Sequence, residues 1–525
     1  MKILVSDPLS KEGIEILKKE KFEVDEKTKL TPDELKKIIK DYDALIVRSE
    51  TKVTADIIKA SKNLKVIGRA GVGLDNVDAT EASKKGIIVM NTPGGNTISA
   101  AEHTMSLILA LSRNIAQATA SMKKGEWNRK KFMGVELYEK TLGVVGLGRI
   151  GTEVAKRALS FGMKVIAYDP YLTIDKAKQL EIQLVTLKEL FASADYITVH
   201  VPLVADTKHL ISEKEIKQMK DGVRIINGAR GGIIDEAALL DGVKSGKIAG
   251  VALDVFEKEP PEESELLKMD NVITTPHLGA STQEAQVNVA IDIAKQVADA
   301  LLGRGVRNAV NIPYIEPEAL KVIQPYINLS EKMGALQSQL AEGRITEVNI
   351  SYAGEIAKHD VMPVTVAFVK GLLTPVVGEM VNYVNASVLA SERGIKVTES
   401  KTSSVGEFAN LVCAIIKTSE KEVEVSGTLF ANGQPRIIRI DGFYVEIEPK
   451  GYMLFASNKD VPGIIGQIGT ILGKNNINIA AMTFGRKKQG GMAVSVCSVD
   501  SAIPEKVLEQ IRKADNIYGA KLIKL

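Results

Sequence analysis

The chain has 525 residues, enough for roughly three or four domains of ordinary size. Hydrophobic residues make up 45% and charged residues 25%, a globular composition rather than a disordered or fibrous one. A net charge of +3, from 68 basic against 65 acidic residues, argues against a polyanion-binding protein, and no apolar stretch approaches the ~20 residues that span a bilayer. Cys413 and Cys497 lie far apart without metal or redox spacing, and the opening MKILVSDPLS has neither signal- nor transit-peptide character. The expectation is a cytoplasmic protein without metal, membrane or nucleic-acid partner.

The first hundred residues alternate apolar runs (2–6, 44–48, 66–67 and 87–90) with the charged, helix-period segments SKEGIEILKKE and TPDELKKIIK. Such alternation predicts a parallel sheet flanked by helices. Ser99-Ala100-Ala101-Glu102 reads as a capping box opening an Ala/Leu-rich helix that runs to about residue 122. The strand Thr141–Val145 and the loop Gly146-Leu147-Gly148-Arg149-Ile150-Gly151 follow, then strand-like runs at 165–168, 196–199, 224–227 and 250–254, a second α/β unit. After Asn311-Ile312-Pro313 long alternating stretches appear at 347–352 and 422–430, with Asn432-Gly433 as a type I′ hairpin turn. Beyond Pro449-Lys450-Gly451, from about Tyr452, the order strand, helix, strand, strand, helix, strand is ferredoxin-like. The expected fold class is α/β: two Rossmann-like doubly wound domains, then an α+β domain and a βαββαβ domain.

A lone GxGxxG is weak evidence, but here an apolar strand leads in and a helix-forming segment leads out. Gly146 allows the tight turn, Gly148 a close approach of pyrophosphate, and Gly151 close helix packing, while free N–H groups at the helix start face the phosphates. Asp169 ends the next strand, about 20 residues on, where a carboxylate accepts from both ribose hydroxyls and repels a 2′-phosphate, favouring NAD over NADP. Three later segments each end a strand: Asn227-Gly228-Ala229-Arg230-Gly231-Gly232, Leu253 to Pro260, and Thr275-Pro276-His277-Leu278-Gly279-Ala280. Hydride chemistry on a hydroxy acid needs an acid/base near neutrality, which suits histidine, and a cation matching a carboxylate, which suits arginine.

These segments resemble those of the D-isomer-specific 2-hydroxyacid dehydrogenases. The resemblance implies a catalytic set of Arg230 as carboxylate grip, His277 as acid/base and Glu259 as its partner, with Asp254 near the nicotinamide carboxamide. It extends the cofactor contacts to Arg149, Ile150, Val201, Gly228, Ala229, Gly279 and Ala280. Among the other histidines, His103 reads as packing or helix support and His200 as a neighbour of the cofactor cleft; His209 and His359 have no constellation around them.

The resemblance covers the whole chain. Val47 to Thr54, Arg69 to Asp78 and Asn91 to Asn96 look like the family's long members that oxidise 3-phospho-D-glycerate to 3-phosphohydroxypyruvate at the entry to serine biosynthesis, with Val72 and Asn227-Gly228 departing from common patterns. Their layout implies a substrate-binding domain at 1–97 with 283–312, an NAD-binding domain at 98–282, an intervening domain at 313–449 and an ACT domain at 452–525. Arg48, Ser49, Arg69, Gly71 and Asn96 are then the substrate contacts besides Arg230 and His277. The basic run Trp127-Asn128-Arg129-Lys130-Lys131 reads either as added charge across a dimer interface or as a solvated loop. In the tail, Asp460, Asn478 and Asn458 fall where ACT domains hold a small amino acid, implying an L-serine effector; assembly alone is the other reading. A homodimer or homotetramer is expected. The alternatives are another reductase of the group, acting on glyoxylate, hydroxypyruvate or 2-oxoglutarate, or a non-catalytic NAD-sensing protein.

Overall fold

A computed structural model describes residues 1–313, 317–378, 380–402, 408–430 and 433–525. The first sheet is fully parallel, in the order Glu23–Glu26, Lys2–Val5, Ala44–Val47, Val66–Arg69, Ile88–Met90. Its edge strand, EVDE, carries no apolar run and escapes a hydrophobicity reading; Lys2 of the neighbouring strand holds it through Glu23 at 2.9 Å and Asp25 at 3.2 Å. The helix Gln283–Leu301 follows the second sheet in sequence but packs on the first. Val289, Ile293 and Val297 share a core there with Ile3, Val5 and Ile46.

The second sheet has seven parallel strands, in the order Val272–Thr274, Ile248–Leu253, Val223–Asn227, Tyr196–Val199, Thr141–Val145, Lys164–Tyr168, Gln183–Leu184. Strand order reverses between Thr141–Val145 and its parallel neighbour Tyr196–Val199, and open α/β sheets bind ligands outside the strand ends at such a switch point. The helix feeding this sheet differs from expectation. It runs Thr97–Arg113, turns at Asn114 (φ 50°), and resumes as Ile115–Lys123. Asparagine tolerates the left-handed conformation, so the apolar pattern continues across a real break. Nor does Ser99 cap the helix. Its hydroxyl donates to the Gly279 carbonyl at 2.9 Å, tying the helix to the loop after His277.

The third sheet is mixed: Lys396–Thr402 lies parallel to Ile345–Gly354, and Asn410–Thr418, Glu422–Phe430, Gln434–Ile440 and Phe443–Ile447 continue antiparallel. Glu422–Phe430 and Gln434–Ile440 pair as a hairpin; Asn432, half of the expected turn, lies outside the described residues. The last sheet is antiparallel, in the order Ile479–Arg486, Met492–Val499, Tyr452–Lys459, Ile517–Lys524. The helices Ile464–Lys474 and Glu505–Arg512 cover one face. Met453, Phe455, Val496 and Ile523 from the other face enter the core built on the third sheet. Gln339 seals the junction, donating to the Lys524 carbonyl at 2.9 Å and accepting its N–H at 3.1 Å. Lys84–Glu392 (3.6 Å) and Asn382 donating to the Gly86 carbonyl (2.9 Å) tie this C-terminal body to the first sheet's domain. No helix among the described residues is long and apolar enough to cross a membrane.

Candidate active site

The turn after Thr141–Val145 delivers the chain into the helix Arg149–Ser160. Gly146 sits at φ 94°, its N–H donating to the Tyr168 carbonyl at 2.8 Å. A side chain on Gly148 would meet open space, whereas one on Gly151 would lie 2.0 Å from the Gly146 carbonyl oxygen. The helix therefore starts against the loop with its unpaired N–H groups aimed at the space over Gly148, the arrangement that receives a phosphate. Asp169 accepts from the Leu147 N–H at 2.8 Å and from the Tyr171 N–H at 2.9 Å. A carboxylate has further lone pairs, so Asp169 both shapes the loop and keeps acceptor capacity for a ribose diol. These features fit a dinucleotide without a 2′-phosphate.

A cleft of about 950 Å³ opens between the strand ends of the first two sheets. Arg48, Ser49, Arg69, Gly71 and Asn96 line it from the first; Arg149, Ile150, Val201, Gly228, Ala229, Arg230, Asp254, His277, Gly279 and Ala280 line it from the second. On the first side, Arg48 Nε, Arg69 Nε and Asn96 Oδ1 are buried without a hydrogen-bond partner. Burial, and then the like charge of Arg230, bring Arg69 down to about 10. Buried polar atoms normally find partners, so unsatisfied guanidinium N–H groups mark a seat for an anion. Asp7 fixes the adjoining loop, accepting from the Arg48 N–H (2.6 Å) and the Thr51 hydroxyl (2.5 Å).

On the opposite wall the backbone at His277 is left-handed (φ 56°), and its N–H donates to the Asp254 carbonyl at 2.9 Å. Its Nδ1 lies 2.8 Å from Glu259 Oε2, while Glu259 Oε1 accepts the Phe256 N–H at 3.2 Å. The hydrogen bond that Glu259 accepts from His277 raises the His277 pKa above the ordinary histidine value, against the opposing effect of burial. Burial, the largest single effect, pushes Glu259 up, but the bond and charge of His277 together with the Phe256 N–H outweigh it, and the carboxyl stays below the usual range. The pair occupies Nδ1 and leaves Nε2 as the exchangeable position, the geometry of an oriented acid/base.

Several side chains make positioning contacts that motif reading does not show. Asn227 folds the turn that carries Arg230, donating to the Arg230 carbonyl at 2.9 Å and accepting the Ala229 N–H at 3.0 Å. The fully buried Asp254 accepts from the Thr275 hydroxyl (2.6 Å), the Leu278 N–H (2.7 Å) and the Gly279 N–H (2.9 Å). His103 Nε2 lies 3.1 Å from both Asp254 Oδ1 and Thr275 Oγ1, so this histidine braces Asp254 rather than only supporting its helix. His200 lines the cleft with Nε2 3.0 Å from Thr198 Oγ1, and burial brings it down to about 4, neutral near pH 7. His209 does have a constellation, with Glu257 at 3.1 Å and Asp235 at 3.9 Å. Trp127-Asn128-Arg129-Lys130-Lys131 is exposed and is not part of the cleft wall. Among the described residues no group of three or more His, Cys, Asp or Glu side chains is placed to hold a metal.

The three tail residues are not gathered within one chain. Asp460 pairs with Arg486 and the Gly490 N–H, both at 3.0 Å, at one end of the last sheet. Asn478 donates to Asp500 at 2.7 Å at the other end, where Ile479 and Tyr452 both align with Val499. Asn458 is fully buried, its amide spent on the Lys459 carbonyl and the Ser495 hydroxyl, both at 2.9 Å. The single chain therefore does not present Asn458 to a ligand.

Comparison with known proteins agrees with this geometry. Residues 105–279 match the D-isomer specific 2-hydroxyacid dehydrogenase NAD binding domain, 322–441 the D-3-phosphoglycerate dehydrogenase intervening domain, and 452–516 the ACT domain. The D-3-phosphoglycerate dehydrogenase of Archaeoglobus fulgidus is 47% identical over all of both chains. That of Bacillus subtilis is 44% identical over all of this chain and 99% of its own. The crystal structure of D-lactate dehydrogenase from Aquifex aeolicus, complexed with NAD and lactic acid, is 32% identical with a TM-score of 0.53, covering 60% of this chain and 100% of its own. The chain belongs to the D-isomer specific 2-hydroxyacid dehydrogenases, in their D-3-phosphoglycerate dehydrogenase branch, and is an NAD-dependent oxidoreductase.

Proposed function

We propose that the protein oxidises 3-phospho-D-glycerate to 3-phosphohydroxypyruvate, the step that opens serine biosynthesis by the phosphorylated route, in the cytoplasm. The observation that carries this reading is the pair of buried guanidinium Nε atoms without a partner at Arg48 and Arg69, two cations in addition to Arg230. An unphosphorylated hydroxy acid needs one cation for its carboxylate; a phosphorylated one needs more. Arg48 and Arg69, with Ser49, Gly71 and Asn96, take the phosphate end, and Arg230 takes the carboxylate. We assign the substrate side to residues 1–97 with 283–312 and the cofactor side to 98–282.

Gly146, Gly148, Arg149, Ile150 and Gly151 hold the pyrophosphate, Asp169 the ribose, and Asp254, with the neighbouring Gly228, Ala229, Val201, Gly279 and Ala280, the nicotinamide end. Bound NAD supplies the hydride acceptor. His277 Nε2 takes the C2 hydroxyl proton as C2 becomes a carbonyl, and Glu259 stabilises the imidazolium that forms. Arg230 polarises the developing carbonyl and steadies the carboxylate.

The test is NADH formation from 3-phosphoglycerate against D-glycerate and D-lactate. A preference of at least ~10²-fold for the phosphorylated acid is expected, since each charge-assisted hydrogen bond contributes ~1.5–3 kcal/mol. Equal rates would point to a glyoxylate- or hydroxypyruvate-type reductase instead. Arg48→Ala should raise KM for 3-phosphoglycerate ~10–100-fold with a smaller change in kcat, measured by initial rates.

Serine regulation belongs to the same proposal. Asp460 and Asn478 occupy opposite ends of one sheet, so a serine site needs two ACT domains side by side, and with it at least a homodimer. Added L-serine should lower turnover, and Asp460→Ala should abolish that response while leaving the uninhibited rate intact. A chain that ignores serine but remains oligomeric would use the domain for assembly alone.

A further inference from the structure

Arg230 is engaged by two groups of the protein itself. Its Nη1 donates to the Ala229 carbonyl at 2.6 Å, and its Nε lies 3.3 Å from Asp75 Oδ2, a carboxylate reaching across the cleft from the first sheet's domain. A guanidinium offers a carboxylate two forks, Nε with Nη2 and Nη1 with Nη2. One nitrogen of each fork therefore faces a group of the protein itself, the first the Asp75 carboxylate and the second the chain's own carbonyl.

The loop that carries Asp75 is anchored while its side chain is exposed. Asn76 donates to the Arg48 and Thr51 carbonyls at 2.7 and 2.6 Å, and Val53 and Val77 form a bridge beside it. The Asp75 side chain is 70% exposed against 28% for Arg230. Arg230 lies close over the same loop, since a side chain on Gly73 would come within 2.2 Å of its Nη2. Rotation of the exposed Asp75 side chain would take its carboxylate away from Nε.

We propose that Asp75 is a specificity-determining residue that occupies, in the free enzyme, the fork of Arg230 that the substrate carboxylate takes on binding. The inference rests on the reading of Arg230 as the carboxylate grip. Asp75 acts as an internal competitor. It keeps the guanidinium oriented across the cleft and discourages weak monocarboxylates. A substrate that also engages Arg48 and Arg69 displaces it. An exposed ion pair suits this task because it is weak enough to be exchanged.

The test compares wild type with Asp75→Asn and Asp75→Ala in steady-state assays, with oxalate and inorganic phosphate as competitive inhibitors of the hydroxy acid. Removing the internal carboxylate should lower KM about two- to five-fold, the range of an exposed ion pair, with the gain in KM rather than kcat. The oxalate inhibition constant should fall by a similar factor, and that of phosphate, held by Arg48 and Arg69, should fall less. Unchanged or raised KM and oxalate constants in both variants would overturn the proposal, as would an equal fall for oxalate and phosphate, which marks a general change of charge. Arg230→Gln separates the two layers. If it leaves oxalate inhibition unaltered, the carboxylate-grip reading itself fails; if it abolishes inhibition while the Asp75 variants behave as wild type, only the role of Asp75 fails.

Discussion

His277→Gln should lower kcat for 3-phosphoglycerate oxidation by ~10²–10⁴-fold, the contribution of a positioned general acid/base, with little change in NAD affinity. Glutamine keeps much of the volume and a polar tip but cannot carry the proton. The pH dependence gives an independent handle. Oxidation requires the neutral imidazole, and the Glu259 bond raises the His277 pKa above the ordinary value. kcat/KM for oxidation should therefore rise with pH through a midpoint above that value. Reduction of the keto acid requires the protonated form and should fall across the same window. Glu259→Gln removes the cause of the shift, so the rising limb should move to lower pH while turnover drops. Full-range pH–rate profiles in both directions check this. A limb that stays in place in Glu259→Gln, or near-normal turnover in His277→Gln, would remove His277 from the mechanism.

Much of this site is legible in sequence because its parts are local. The glycine loop, the strand before it and Asp169 after it form one strand–turn–helix–strand unit, and the steric demand that Gly151 answers comes from Gly146 and Val144 within that unit. The αβ alternation and the βαββαβ tail carry strong periodicity and are equally readable. What stays hidden depends on contacts distant in sequence. His103 braces Asp254 across 151 positions, and Asp75 meets Arg230 across 155. Nothing near His103 or Asp75 marks either role. The edge strand EVDE is hidden because exposure on an edge removes the apolar signal, and the break at Asn114 because the apolar pattern runs through it. His209 acquires its carboxylate neighbours only when the loop at Glu257 folds over it. The Asp460–Asn478 separation shows the limit from the other side: both residues were named from their motifs, yet their relation depends on sheet topology and on a second copy.

Gly151→Ala should weaken NADH binding by ~10²–10³-fold, corresponding to the loss of about two charge-assisted hydrogen bonds to phosphate. The reason is steric. A methyl group at this position would sit 2.0 Å from the Gly146 carbonyl oxygen and 3.4 Å from Val144 Cγ1. Gly146 cannot retreat, because its own back is against the His200 carbonyl and Val201, each 2.8 Å from where a side chain would begin. The loop is thus clamped between the helix and the end of the strand Tyr196–Val199. The helix Arg149–Ser160 must be the part that moves, and its first N–H groups move with it, away from the space over Gly148. The buried face of that helix, with Val154, Ala155 and Ala158, resists the shift, so the strain divides between lost cofactor contacts and a looser domain. Fluorescence titration with NADH measures the first part and thermal unfolding, with and without NADH, the second. Gly148→Ala is the matched control: its side chain meets no protein atom within 4 Å, so the apo melting temperature should hold while cofactor affinity falls. A Gly151→Ala protein that binds NADH like wild type would mean that the phosphates are not held at this helix start.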